Sequence, residues 1–140
     1  MSTPNASQNQ AQTPNHVAVW FEIPVSDIRR AHQFYSAALG MEIGAVQPCP
    51  SGVPDLEMAI FTHQDGAVSG ALVKSAENRP SRDGTIAYLN AGADLQQTLD
   101  RLPGLGAEII VEKTLIAPEI GYFALFRDSE GNTVGLHSAH

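Results

Sequence analysis

The chain has 140 residues and a formal net charge of -7, with eight Lys and Arg against fifteen Asp and Glu. That length suits one domain with a real core, and the scattered basic residues offer no stripe for a phosphate backbone, so nucleic acid is excluded as an expected partner. No run of about eighteen apolar residues occurs, so no membrane span is expected, and the single cysteine, Cys49, rules out an intramolecular disulfide.

Residues 1–15 contain no aromatic or large aliphatic side chain after the initiator Met, and a flexible tail is expected there. They also lack the basic flank and apolar run of a secretory signal, which gives a cytoplasmic protein as the expectation. Residues 17–25 alternate, with Val17, Val19, Phe21 and Ile23 on one face and Ala18, Trp20, Glu22 and Pro24 on the other, the pattern of a strand with one side on a core. Ser26 or Asp27 then opens a helix whose apolar stripe is Ile28, Ala31, Tyr35, Ala38 and Leu39, and Gly40 closes it. Strands are expected at residues 41–46, 56–63 and 70–74. Cys49 falls in a Pro- and Gly-rich loop with no neighbouring His, and reads as an ordinary thiol.

The polar stretch 76–84, with Pro80 and Gly84, reads as a linker. Beyond it the same order recurs. Residues 85–91 form a strand, Asp94 caps a helix with Gln97 in capping-box position, and Leu95, Leu99 and Leu102 make its buried stripe. Leu105-Gly106-Ala107-Glu108-Ile109 matches Leu39-Gly40-Met41-Glu42-Ile43, and strands follow at 108–113, 121–127 and 133–137. Asp128, Ser129, Glu130, Gly131 and Asn132 form a hairpin turn whose charges read as turn chemistry. The repeat, of roughly sixty-six residues, is too long for a solenoid unit and indicates a duplicated module. Residues 16–140 are therefore expected to be one α+β domain of two βαβββ modules, 16–75 and 85–138, with a groove between them suited to a small molecule.

The segments WFEIPVSDIRRAHQFYSAALG (20–40), GALVK (70–74) and FALFRDSEGNTVGLHS (123–138) resemble the vicinal oxygen chelate superfamily. That superfamily includes glyoxalase I, bleomycin-resistance proteins and extradiol dioxygenases, and the likeness is closest to an uncharacterised glyoxalase-like bacterial branch. The resemblance implies curved sheets around a cup, a default homodimer of twofold symmetry, and in metal-using members a divalent ion held by His, Glu or Gln from the first and fourth strands of each module. Such an ion (Zn, Ni, Mn or Fe) would act as a Lewis acid on two neighbouring substrate oxygens. Carried over residue by residue, the ligand positions fall on Trp20 and Tyr88, near Ala71, and on Gly135. None is an ordinary ligand, so glyoxalase I activity does not come with the fold. Relatives in this branch often carry a histidine where Ile120 stands, before Gly121.

Two residues further along each strand the same face carries Glu22, Asn90 and His137. Glu22 and His137 are the candidate catalytic pair, or two ligands of a displaced metal site completed by Asn90 or water. Trp20, Tyr88 and Asn90 are the candidate substrate-binding residues, the aromatics as pocket walls. His16, His32, His63 and His140 lack any pairing at ligand spacing and read as surface or loop residues. The leading expectation is an enzyme acting on a small oxygen-rich molecule by metal-assisted or acid/base chemistry. The alternative is a metal-free protein that binds an aromatic or antibiotic-like ligand.

Overall fold

The computed structural model describes residues 14–140. All but the last two residues of the expected tail lie outside the described residues. The elements are β1 (Trp20–Pro24), α1 (Ile28–Leu39), β2 (Gln47–Pro48), β3 (Glu57–Ile60), β4 (Ser69–Lys74), β5 (Tyr88–Asn90), α2 (Gln96–Arg101), β6 (Glu108–Ala117), β7 (Gly121–Arg127) and β8 (Thr133–Ser138). Two four-stranded sheets result, ordered β1-β4-β3-β2 and β5-β8-β7-β6. In each the first strand runs parallel to the last, and the other pairs are antiparallel. A parallel pair needs a crossover, which the helix and two intervening strands supply. The α+β fold of two like modules is thus the duplication read in the sequence. No helix among the described residues is long and apolar enough to cross a membrane.

Helix α1 has the ends that its sequence dictates. The Asp27 carboxylate accepts the Arg30 amide at 3.0 Å, and Gly40 closes the helix at φ 64. Ile28, Ala31, Tyr35 and Ala38 are buried as expected, Leu39 only partly, and Phe34 joins the stripe. The second helix is only six residues long, because Pro103 cannot continue it; a 3-10 turn, Pro103–Leu105, follows and Gly106 closes that turn at φ 78. Leu95, Leu99 and Leu102 are all buried. Asp94 does not form a capping box with Gln97: its Oδ1 accepts the Gln96 amide at 2.9 Å and the Lys113 ammonium at 2.8 Å. The Lys113 bond, with the Gln96 amide second, lowers the Asp94 pKa.

The expected strand 56–63 shortens to Glu57–Ile60 and the one at 85–91 to Tyr88–Asn90, and three further strand expectations change. The first strand starts at Trp20, leaving Val17 and Val19 exposed at 94% and 71% rather than on the core. The expected strand 41–46 reduces to one bridge between Ile43 and Phe61, and pairing resumes only at β2. β2 itself is two residues long and ends at Pro48, beyond which Pro50 and Pro54 supply no N–H to extend the ladder. Its counterpart β6, free of proline and rich in β-branched residues, grows to ten residues and bends through three register shifts.

One apolar core serves both modules. It joins Ile23, Tyr35 and Leu72 of the first to Leu99, Phe126 and Leu136 of the second, with Phe34 and Phe126 rings 6.2 Å apart. Arg101 Nη1 also donates to the Ala38 carbonyl near the end of α1, at 3.0 Å. The turn between β7 and β8 adds a polar lock that the sequence reading missed by treating it as a hairpin device. Glu130 Oε1 accepts the Ser26 and Asp27 amides, both at 2.9 Å, and its two oxygens take a bidentate pair from Arg30 at 2.7 and 2.9 Å. Asn132 donates to the Pro24 carbonyl at 2.7 Å and accepts the Ser81 amide at 3.0 Å, while Tyr35 donates to Asp128 at 2.6 Å. The linker is therefore fastened to the same turn. Burial and then the Asp128 charge push the Tyr35 phenol well above its ordinary pKa.

Glu130 has no exposed side-chain surface. Burial alone would raise its pKa, but the bonds from Arg30, the Asp27 amide, Ser129 and the Ser26 amide outweigh burial and lower it from 4.5 to about 2. A carboxyl depressed in the folded state stabilises fully above its unfolded pKa, and that contribution is lost as pH falls through the folded value. The urea midpoint should accordingly drop between pH 4.5 and about 2. In Glu130→Gln that slope should flatten, with stability at neutral pH lower by roughly 2–3 kcal/mol, because Arg30 and two helix-start amides lose their charged partner. A pH profile identical in the two proteins would contradict this account of the lock.

Candidate functional site

β1 and β5 are the outermost strands of their sheets, and neither pairs with the other. Between them lies a cleft of about 690 Å³, walled by Trp20, Phe21 and Glu22 on one side and Tyr88, Leu89 and Asn90 on the other. Met41 and Phe61 contribute to the lining, so the cavity is mainly apolar. Trp20 and Tyr88 keep 44% and 49% of their surface exposed, which is a large area of aromatic ring left in water with nothing covering it.

Register explains how each ring is held. Tyr88 pairs with Gly135, and the phenol ring lies over that glycine so closely that an added methyl would strike it. Phe123, opposite His137 on β7, meets the Tyr88 ring edge-on with centroids 6.3 Å apart. Trp20 pairs with Ser69, and its indole Nε1 donates to Glu22 Oε2 at 3.2 Å. That bond ties the ring to the carboxylate and leaves Oε1 with no protein hydrogen-bond partner among the described residues. Glu22 is exposed.

Asn90 lines the cleft, but its Oδ1 accepts the Gly92 amide at 2.9 Å, an Asx turn that shapes the strand end. His137 is half-buried, and its Nε2 lies 2.7 Å from the Ile120 carbonyl. A carbonyl can only accept, so Nε2 carries the proton and Nδ1 keeps the lone pair. His137 opens on a second cavity that shares Tyr88, Leu89 and Asn90 with the first; Glu22 lines the first and not the second, His137 the second and not the first. The candidate pair is not gathered around one cavity.

The donor set does not fit a divalent ion. By register the counterpart of Gly135 in the first module is Ser69, not Ala71, and the Ser69 hydroxyl is buried and donates to the Phe61 carbonyl at 2.9 Å. The positions that the resemblance assigns to ligands thus hold an indole, a phenol, a committed hydroxyl and a hydrogen atom. One layer further, Glu22 pairs across to Ala71, and Asn90 to His137; His137 keeps a free Nδ1, but it and Glu22, the two ordinary ligand types left, border different cavities. Among the described residues no three His, Cys, Asp or Glu side chains are grouped to hold a metal. His32 is spent on the Ile43 and Gly44 carbonyls, at 3.2 and 3.1 Å. Cys49, half-buried beside Met58 and Val73, lies 2.9 Å from the Ser51 hydroxyl, and hydrogen bonding with Ser51 lowers its pKa.

Sequence reasoning missed Phe123, Met41, Phe61 and Ser69 as parts of the site. Alternation along β7 carries a signal for Phe123, which shares a face with Leu125 across from Gly135 and His137. Met41 and Phe61 come from segments that reach the cleft only through tertiary packing.

A model of the Glyoxalase/Bleomycin resistance protein/Dioxygenase superfamily matches residues 13–136. A glyoxylase-like domain-containing protein from Didymella fabae is 30% identical over 112 residues, covering 80% of this chain and 85% of the relative. Among solved structures, TnmS3, an antibiotic binding protein from Streptomyces sp. CB03234, is 25% identical with a TM-score of 0.62, covering 91% of this chain and 98% of that one. The trypanothione-dependent glyoxalase I of Leishmania major has a TM-score of 0.64 at 15% identity, covering 89% and 88%, a likeness of fold alone. Matched over nearly all of its described length, and built from the paired modules just described, the chain belongs to the glyoxalase/bleomycin resistance protein/dioxygenase superfamily.

Proposed function

We propose that this chain is a small-molecule-binding protein that holds a flat aromatic ligand between Trp20 and Tyr88 without using a metal ion. The observation that carries the reading is the exchange of donors for aromatics: each module sets a half-exposed ring on its first strand, at the mouth of an apolar cleft, where metal-using relatives would need a ligand. Two rings facing a shared cavity offer stacking surface on both sides of a planar molecule. The likeness to an antibiotic binding protein at 25% identity supports the same reading. It reverses the order expected from sequence, in which metal-assisted or acid/base chemistry led. Acid/base work by Glu22 remains the second reading, favoured by its free Oε1 on the cleft wall.

We also infer a homodimer working in the cytoplasm. Support for the dimer comes from apolar surface left in water at Val17 and Val19 before β1, and at Ile116 and Ile120 around the tip of the β6–β7 hairpin. Twofold pairing would cover such patches symmetrically. Sedimentation should give twice the chain mass at micromolar concentration, and a monomer there would count against the dimer.

Acridine is a suitable flat, neutral probe. It should quench the fluorescence of Trp20, the sole tryptophan, with an affinity unchanged by chelator treatment and lowered about tenfold in Tyr88→Ala. Gly135→Ala should weaken acridine binding similarly, by pushing the exposed Tyr88 ring aside, at a stability cost below about 1 kcal/mol. Gly70→Ala should instead cost several kcal/mol, since its methyl would meet the Phe21 backbone carbonyl, which cannot swing away. Acridine binding that required added nickel, zinc, manganese or iron would overturn the metal-free reading.

A further inference from the structure

The cleft is chemically lopsided. Among the described residues Glu22 is the one carboxylate in its lining, and no Lys, Arg or His faces the cavity. The indole of Trp20 donates to one oxygen of that carboxylate, which orients the group along the aromatic wall and leaves its other oxygen open to accept a hydrogen bond. On the far side of Glu22 a smaller polar cavity brings in Arg79 and Asp83, whose charges offset each other. Neither of the ion pairs found among the described residues involves Glu22. The net charge of -7 adds a weak attraction for cations over the whole molecule.

We propose that the cleft selects planar aromatic cations, ligands whose ring system lies between Trp20 and Tyr88 and whose charged N–H donor meets Glu22 Oε1. This rests on the cleft reading above and adds the charge of the ligand to it. Two features combine. The faces of an indole and a phenol are electron-rich and attract a cation lying over them, and the carboxylate gives the charged donor a fixed acceptor. A carboxylate- or phosphonate-bearing ligand would find no cation in the lining and would lie against Glu22 with like charge. Small anionic substrates are thereby disfavoured at this site.

Three probes of nearly one shape separate charge from fit: 9-aminoacridine, a cation at neutral pH; acridine, neutral; and acridine-9-carboxylate, an anion. Equilibrium dialysis at low salt, with Trp20 quenching to locate the bound probe, should rank them cation, neutral, anion. A difference of about tenfold is expected between the extremes, shrinking as salt is raised. Glu22→Gln, which keeps an acceptor for the indole, should collapse most of that difference. Glu108→Gln, which removes an equal charge from the exposed start of β6, should leave it intact. Equal affinities for the three probes, preference for the carboxylate, or a ranking untouched by Glu22→Gln would each overturn the inference while leaving the cleft reading in place. Failure of all three to bind would overturn the cleft reading and this inference with it.

Discussion

The placement of the site depends on one buried carboxylate. Glu130 sits at the N-terminal end of α1, where the Ser26 and Asp27 amides point outward and the helix dipole favours negative charge, and Arg30 closes over it. Its neighbour Asn132 holds the Pro24 carbonyl at the last residue of β1. The turn that joins β7 to β8 thereby fixes the end of β1, so the first strand of one module is referenced to the last strand of the other. Trp20 lies at the opposite end of that strand. The strand that carries the indole is thus tied at its far end to β8, on which Tyr88 itself rides through Gly135.

This lock was poorly legible in the sequence for a physical reason. A run such as Asp128 to Asn132 has the composition of a hairpin turn whether or not its side chains reach another element, and nothing local distinguishes Glu130 as solvated from Glu130 as a cap. By contrast, the duplicated modules, the stripe of α1 and the buried leucines around α2 followed from spacing alone, because periodicity encodes which face meets the core. The failures cluster where local pattern and partner availability disagree. Val17 and Val19 continue the alternation of β1, yet the strand starts at Trp20; residues 41–46 have strand character, but only Ile43 finds a bridge, to Phe61.

For the site, face assignment was readable and convergence was not. Alternation put Trp20 with Glu22 and Tyr88 with Asn90, and the registers agree. It carried no information on which cavity each residue would border, so Glu22 and His137 looked like partners although they line different ones. Nor did it reveal that the Asn90 amide is engaged in a turn and His137 Nε2 by a carbonyl. In this superfamily the scaffold is shared and the chemistry resides in a few side chains on the strand faces. Which of those side chains converge on one cavity is set by tertiary packing, not by strand alternation.

The glycine beneath Tyr88 also has a chemical consequence. A metal-binding side chain at position 135 needs a Cβ where the phenol ring now rests, and Tyr88 in turn can lie flat only over a residue without one. The aromatic wall and a metal ligand on β8 are therefore alternative occupants of one space. The same substitution that places a donor at 135 displaces the ring, so one property is given up as the other is gained. A stacking surface and a ligand on β8 are thus exclusive properties of one chain, decided by whether position 135 carries a side chain.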